Sequence, residues 1–168
     1  MIIRVSELEE QGLRIDDVAA LGEVFTDPAW RLTSVALEIE PDGREVLVHG
    51  RLAATMPQTC SRCLEPFAAR VDAPVEVRLV PKPAGADSVE LGADDLDVDF
   101  YDNDELDVTR VVANEATLAL PMKPLCRQDC RGLCPVCGAD LNVSEPADHR
   151  HELPGDPRWA KLRELRLE

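Results

Sequence analysis

Hydrophobic and polar residues alternate in two neighbouring stretches near the middle of the chain. In residues 33–40 the side chains of Val35, Leu37 and Ile39 share one face, opposite Ala36 and Glu38. Residues 44–56 repeat the pattern, with Val46, Val48, Leu52, Ala54 and Met56 in one register. Between them lies Pro41-Asp42-Gly43, in which proline presets φ and glycine tolerates a positive φ. Two alternating runs around such a turn predict a β-hairpin.

A third alternating stretch follows in residues 69–81, where Val71, Ala73, Val75, Val77 and Leu79 alternate with polar residues. Pro74 indicates that this strand has an edge or a bulge at that point, since proline cannot donate a ladder hydrogen bond. Residues 81–92 are typical of a loop, and LDVDFY, residues 96–101, predicts a short acidic strand.

The pattern changes to helical spacing in DVTRVVANEATLAL, residues 107–120. Asp107 is a suitable N-cap, and an apolar stripe follows it. The stripe comprises Val108, Val111, Val112, Ala116 and Ala119, widened by Leu118 and Leu120. Pro121 and Pro124 predict that the helix ends there.

The two ends of the chain carry weaker signals. Residues 1–31 suggest a short helix or irregular cover, whereas DPRWAKLRELRLE, residues 156–168, predicts a helix with Asp156 as its cap. We therefore predict an α+β fold, with a largely antiparallel sheet or partial barrel, a packed helix and a zinc-clipped C-terminal segment. Residues 1–121 would form the core domain, and residues 122–168 the Cys/His-rich segment packed on it.

Charge is unevenly distributed along the chain, whose formal net charge is −15. The segment 87–107 contains ten acidic residues and no lysine or arginine. An acidic surface repels phosphate backbones, so a basic protein or peptide is the better electrostatic match. The sequence has neither a secretory signal nor a membrane-spanning run, which favours a cytoplasmic protein with reduced thiols.

Six cysteines in such a protein indicate metal ligands before disulfides. Cys60 and Cys63 form one CxxC pair, Cys134 and Cys137 another, and Cys126 and Cys130 a CxxxC pair between them. His149 and His151 follow shortly after, which gives eight soft ligands, enough for two tetrahedral zinc sites. His49 is left over, on the polar face of the second strand, where a solvated role is expected.

Four ligand pairs can share two ions in three ways, and the spacing leaves all three open. Proximity favours Cys126, Cys130, Cys134 and Cys137 around one ion, with Cys60, Cys63 and the histidines around the other. A two-knuckle ribbon would couple Cys60 and Cys63 to Cys134 and Cys137. The third arrangement joins Cys60 and Cys63 to Cys126 and Cys130, and leaves Cys134 and Cys137 to the histidines. A single structural ion, with some of these residues idle, is a further alternative.

Other functions compete with a structural zinc site. A thiol redox protein would use one CxxC pair, although neither pair precedes a helix in a βαβ unit. A zinc hydrolase would need an open coordination position and an acid/base partner, and the sequence offers no such partner. The acidic stretch starting at Asp97 lacks the glycine and glutamate of an EF-hand loop. We therefore expect no enzyme activity, no small-molecule substrate and no membrane partner.

The chain resembles the YceD family, the large ribosomal RNA subunit accumulation proteins of bacteria and plastids. The matching motifs are CSRCLEPF (60–67), LALPMKPLC (118–126), CRGLCPVCGADLN (130–142) and DPRWAKLREL (156–165). This sequence has HRH, residues 149–151, where a CxC can follow in the family.

The resemblance implies a cytoplasmic, non-enzymatic factor in ribosome biogenesis that supports accumulation of the large-subunit ribosomal RNA. Combined with the charge, it predicts a basic ribosomal protein or an rRNA-processing factor as partner, with contact to pre-ribosomal RNA secondary. A zinc scaffold with a non-ribosomal client is the remaining alternative.

Overall fold

A computed structural model describes residues 1–83, 98–143 and 151 of the chain. Two helices and seven strands lie within these residues. The strands are β1 (Ile2–Arg4), β2 (Leu13–Ile15), β3 (Arg31–Asp42), β4 (Glu45–Thr59), β5 (Pro66–Pro81), β6 (Val98–Tyr101) and β7 (Glu105–Asp107). The helices are α1 (Val18–Leu21) and α2 (Val108–Leu118), and Val5–Glu7 forms a 3₁₀ turn.

The main sheet has five strands in the order β2-β3-β4-β5-β6. Strands β3 and β4 form the predicted hairpin around the turn at Asp42–Glu45, and β4 continues into a second hairpin with β5. Only the β5–β6 pair is parallel among the described strands. The predictions of an α+β fold and a largely antiparallel sheet are therefore confirmed, and the described strands form no closed barrel.

Pro74 lies where its missing N–H group has no cost to the sheet. Strand β5 pairs with β4 along almost its whole length, but with β6 only from Arg78 onward. Within the described residues, the opposite edge of β5 is therefore unpaired at Pro74, as the sequence predicted.

The hydrophobic core lies between one face of this sheet and helix α2. The alternating residues of the predicted strands are buried, among them Leu37, Val48 and Leu52, and the helix contributes Val108, Val111, Val112 and Ala116. The carboxylate of Asp107 caps α2 by accepting a hydrogen bond from the Arg110 N–H group at 3.1 Å. The sequence also placed Leu118 and Ala119 on the apolar stripe, but this was wrong. The helix ends at Leu118, which is 77% exposed, and Ala119 beyond it is exposed too.

The amino-terminal residues contribute more regular structure than their sequence indicated. Strand β1 pairs with β7 in a small antiparallel sheet, and β2 extends the main sheet beside β3. These strands have three residues each, too few for alternation to be recognised.

Some predictions fall on residues that the structure does not describe. The helix at 156–168, most of the loop at 81–92 and the first part of the acidic segment 87–107 lie outside the described residues. The division into a core of residues 1–121 and a segment of residues 122–168 stays a prediction. Of the helices described here, none has the length and apolarity needed to cross a bilayer.

Candidate metal centre

The first CxxC pair lies in the tight loop that joins β4 to β5. Thr59 and Pro66 form the last residue pair of this hairpin, so Cys60 and Cys63 project from its tip. The Cys60 N–H group donates to the Glu65 carbonyl at 2.9 Å, and the Leu64 N–H group donates back to Cys60 at 3.0 Å. Leu64 has a φ of 63°, which lets the chain reverse directly after the second cysteine.

The second CxxC pair repeats this geometry. The Cys134 N–H group donates to the Ala139 carbonyl at 2.8 Å, and the Gly138 N–H group donates back to Cys134 at 2.9 Å. Gly138, with a φ of 72°, holds the position that Leu64 holds in the first turn. Two separate segments therefore adopt the same cysteine-presenting turn, the form that structural zinc sites use.

Three hydrogen bonds join the hairpin tip to the segment that follows α2. The Ser61 N–H group donates to the Pro124 carbonyl at 2.8 Å, and Leu133 N–H donates to the Arg62 carbonyl at 3.0 Å. The Arg62 guanidinium donates to the Cys130 carbonyl at 2.7 Å. These contacts bring Cys126 and Cys130 against Cys60 and Cys63.

The sulfur atoms of Cys60, Cys63, Cys126 and Cys130 all lie within 4.8 Å of one another. The Cys60 and Cys130 sulfurs are 3.7 Å apart, and the Cys63 and Cys126 sulfurs are also 3.7 Å apart. These two sulfur pairs form opposite edges of the four-sulfur group. In a tetrahedral zinc site with bonds of about 2.3 Å, two sulfurs lie about 3.8 Å apart. A disulfide would require about 2.05 Å, and all six cysteines are free.

The four sulfurs also have suitable surroundings for a closed metal site. Cys60, Cys63 and Cys130 are buried, and Phe67 and Leu125 pack against them. Together these residues form a hydrophobic cluster separate from the main core. Cys126 is the exposed member of the group. A set of four sulfur donors, three of them buried, fits a structural zinc ion with no open coordination position.

The pKa values of Cys60, Cys63 and Cys126 are shifted in different directions. Backbone N–H groups, first that of Cys126 and then those of Cys63 and Arg62, lower the pKa of Cys60 to about 6 against the effect of burial. Loss of hydration and the thiols of Cys60, Cys63 and Cys130 raise the pKa of Cys126 to about 12. The Glu65 N–H group lowers the pKa of Cys63, but burial and the Cys60 and Cys130 thiols outweigh it, so that pKa is raised. The thiols of Cys60 and Cys130 therefore oppose ionisation of Cys63 and Cys126, and a bound divalent cation would favour the thiolate forms.

A second group brings together Cys134, Cys137 and His151, whose ligand atoms lie within 4.8 Å of one another. Cys134 is buried, whereas Cys137 and His151 are exposed. Backbone N–H groups of Cys137 and then Val136 lower the pKa of Cys134. His149, the other predicted histidine ligand, lies outside the described residues.

The two groups correspond to the third of the pairings that the sequence left open. Cys126 and Cys130 lie with the hairpin cysteines and not with Cys134 and Cys137, which proximity along the chain had favoured. Distance along the chain did not predict this grouping, because the β4–β5 hairpin places Cys60 and Cys63, at its tip, next to the segment that follows α2. His49, the remaining histidine, lies on the exposed face of the sheet beside the carboxylates of Glu38 and Glu40, at 3.9 and 3.4 Å.

Sequence reasoning missed Asn142 as a residue that positions the centre. Its side-chain carbonyl accepts hydrogen bonds from the Arg131 N–H group and the Arg127 guanidinium, each at 2.8 Å. Its amide N–H group donates to the Cys130 sulfur at 3.6 Å. The sequence signal for this role is that Asn142 ends the cysteine-rich motif CRGLCPVCGADLN.

Comparison with known proteins identifies relatives in bacteria. The uncharacterized protein Rv2926c of Mycobacterium tuberculosis is 39% identical over 135 residues, which cover 80% of this chain and 62% of the relative. The chain thus spans less than two thirds of the length of this relative. The uncharacterized protein YlbN of Bacillus subtilis is 25% identical over 98% of this chain and 94% of its own.

No solved structure matches the chain at a significant level. A family model does match: it covers residues 48–166 and is described as the large ribosomal RNA subunit accumulation protein YceD. The match includes all six cysteines, the β4–β5 hairpin from residue 48 onward, and Asn142. The chain therefore belongs to the YceD family.

Proposed function

We propose that this protein is a non-enzymatic, cytoplasmic ribosome-biogenesis factor that supports accumulation of the large-subunit ribosomal RNA. The family description supports the process, since it names that RNA. The four-sulfur group supports the mode of action, because it joins a β-hairpin to the segment after α2 and thereby fixes a surface. The close approach of these four sulfurs is the main observation that supports the proposal.

In this proposal, Cys60, Cys63, Cys126 and Cys130 hold one structural zinc ion. Cys134, Cys137 and His151 hold a second ion, with His149 as the fourth ligand. A structural zinc contributes on the order of 10 kcal/mol of apparent binding free energy at neutral pH, far more than the hydrogen bonds at the hairpin tip. The zinc supplies no reaction here, since four thiolates leave no position for a substrate at the first centre.

The chain's own residues orient the ligands. Arg62 fixes the Cys130 backbone, and Asn142 donates to the Cys130 sulfur while bridging Arg127 and Arg131. Such second-layer contacts orient the ligand sulfurs around a bound metal.

The partner class follows from charge. A net charge of −15 favours basic ribosomal proteins or an rRNA-processing factor with a basic surface. Lys123 and Arg127, both exposed beside the first centre, provide a smaller basic area for secondary contact with pre-ribosomal RNA.

Depletion of the protein in its host tests the proposal. The expected result is a fall in the ratio of large-subunit to small-subunit ribosomal RNA, restored by the wild-type gene and not by a Cys60→Ser, Cys130→Ser double variant. A matched variant, Glu10→Gln, should restore it fully, because Glu10 is exposed and lies outside the centre. An unchanged RNA ratio on depletion would reject the proposed function.

A further inference from the structure

A cleft lies at the end of the molecule where the β6–β7 turn meets β1 and the start of α2. Its volume is about 470 Å³, and its lining includes the carboxylates of Asp99, Asp102, Glu105 and Asp107. Lys82 and Arg110 are the two cations in the lining. Negative charge therefore predominates in this cleft.

Two of the four carboxylates are available for a partner. Asp107 is engaged in capping α2, and the Asp99 carboxylate accepts a hydrogen bond from the Phe100 N–H group at 2.8 Å. The Arg110 guanidinium donates to the Phe100 carbonyl at 3.3 Å. The side chains of Asp102 and Glu105 have no hydrogen-bond or ion-pair partner in the part of the chain that the structure describes. Their position in a concavity distinguishes them from the acidic residues of the open sheet face.

The rim that carries these carboxylates is held in place. Asn103 and Asp104 have φ values of 51° and 65°, so this turn has a defined left-handed backbone. The Asp104 carboxylate accepts a hydrogen bond from the Ser6 N–H group at 2.9 Å and another from the Ser6 hydroxyl, and the Asp104 carbonyl accepts from Val5 at 2.9 Å. A rim fixed in advance lowers the entropy cost of binding.

One cleft carboxylate also acts on a neighbouring group outside the cleft. The pKa of Glu115 on α2 is raised, first by burial and then by the charge of Asp99, which lines the cleft. A cationic ligand would relieve this repulsion, whereas a phosphate group would increase it.

We propose that this cleft binds a lysine- or arginine-rich segment of a partner protein. A long cationic side chain would place its charged end between Asp102 and Glu105. Its aliphatic stem would lie against Ile2, which is 63% exposed, and Phe100. The inference rests on the proposed function only in taking this partner from the basic proteins of ribosome assembly.

Titration of the full-length protein with a decalysine peptide at low ionic strength tests this inference. The double variant Asp102→Asn, Glu105→Gln should weaken peptide binding tenfold or more. The matched variant Glu10→Gln, Glu76→Gln removes the same charge from exposed sites outside the cleft, and should weaken it less than twofold. Backbone amide shifts induced by the peptide should be concentrated at Ile2 and in residues 101–105.

Equal weakening by both double variants would overturn the inference, because binding would then follow total charge and not the cleft. Tighter binding of a single-stranded RNA than of the peptide, lost in the cleft variant, would also overturn it. The depletion experiment is independent of this titration. If depletion left the ribosomal RNA ratio unchanged while the peptide bound in the cleft, the proposed function would fail and the basic-peptide site would stand.

Discussion

Leu64 and Gly138 occupy equivalent positions, each directly after a CxxC pair and each with a positive φ. A left-handed backbone costs a non-glycine residue about 1 kcal/mol, so Leu64 holds a strained conformation that Gly138 adopts freely. The Leu64 side chain is 62% exposed, so packing does not compensate for the strain. The hydrogen bonds of the turn and, in our proposal, the bound metal keep Leu64 in place.

Two glycine substitutions near the centre should differ in cost. An added Cβ at Gly138 meets no atom within 4 Å, so Gly138→Ala should cost only the backbone strain, about 1 kcal/mol. At Gly132 the added Cβ would lie 2.9 Å from the Arg62 carbonyl oxygen, so Gly132→Ala should also weaken the contact with the hairpin tip and cost clearly more. Chemical denaturation of the zinc-loaded variants measures both values. Equal costs would mean that the Gly132–Arg62 approach is unimportant.

Single cysteine substitutions should separate the two proposed centres. Cys130→Ser removes a buried ligand from the four-sulfur group, and Cys137→Ser removes an exposed ligand from the other group. We expect each variant to lose about one equivalent of zinc, and only Cys130→Ser to loosen the hairpin tip, since only the four-sulfur group contains the hairpin cysteines Cys60 and Cys63. Metal analysis, with thiol alkylation before and after chelation, provides the measurement.

The same experiment distinguishes a structural centre from a thiol redox protein. In a structural centre, alkylation of the wild-type thiols should be slow until a chelator removes the metal. Fast alkylation of one CxxC pair that chelation does not alter would instead favour the redox alternative.

At the scale of elements, helix α2 contains a titratable residue, Glu115, whose ionisation should affect the stability of the fold. Burial and the Asp99 charge raise the pKa of Glu115, so its ionised form is less favourable in the folded than in the unfolded state. This destabilisation is absent below the ordinary pKa of 4.5 and fully present above the raised folded-state pKa. Glu115→Gln should therefore increase the free energy of unfolding at pH 7, by about 0.5 kcal/mol or less because the group is half-exposed.

Urea denaturation at pH 7 and pH 4 measures this effect, with each variant compared with the wild type at the same pH. The gain should disappear at pH 4 and should be smaller in an Asp99→Asn background, since Asp99 is its second cause. Glu10→Gln serves as the control for simple loss of one charge. A gain that persisted unchanged at pH 4 would contradict the assignment.

The elements differ in how well their sequences predicted them. Strands β3, β4 and β5 and helix α2 have long periodic patterns and clear end signals, so their positions and buried faces were predicted. Strands β1, β2 and β7 are too short to show a period, and they form only because neighbouring strands supply partners. Leu118 was misassigned because its spacing continues the apolar stripe, while the helix ends at that residue.

The candidate metal centre was predictable in composition but not in arrangement. Residue types and CxxC spacing identified the soft ligands, because these depend only on local turn geometry. The division into two groups depends on where the tip of the β4–β5 hairpin lies relative to the end of α2, which is a tertiary contact. Asn142 was missed for the same reason, since its partners Arg127, Arg131 and Cys130 converge only in the folded chain.

At the scale of the whole molecule, the described residues form two separate hydrophobic clusters, which indicate two levels of stability. The main core between the sheet and α2 contains no cysteine, whereas Cys60, Cys63, Cys130, Phe67 and Leu125 form a small cluster of their own. The main core is large and should remain folded when the metal is removed. The small cluster buries too little apolar surface to remain ordered without the metal.

Removal of the metal by a chelator should therefore disorder the hairpin tip and the segment after α2, and leave the sheet and α2 folded. Hydrogen exchange of the zinc-free protein should show lost protection for the amides of Cys60, Leu64, Cys130 and Leu133, which bond within or across the centre. Protection should persist for Leu37, Val48 and Leu52 in the middle of the sheet, where the ladder and the main core are intact. Zinc added back should restore the lost protection. Simultaneous loss of protection throughout the sheet would contradict this prediction. It would mean that the metal stabilises the main core as well as the surface around the metal centre.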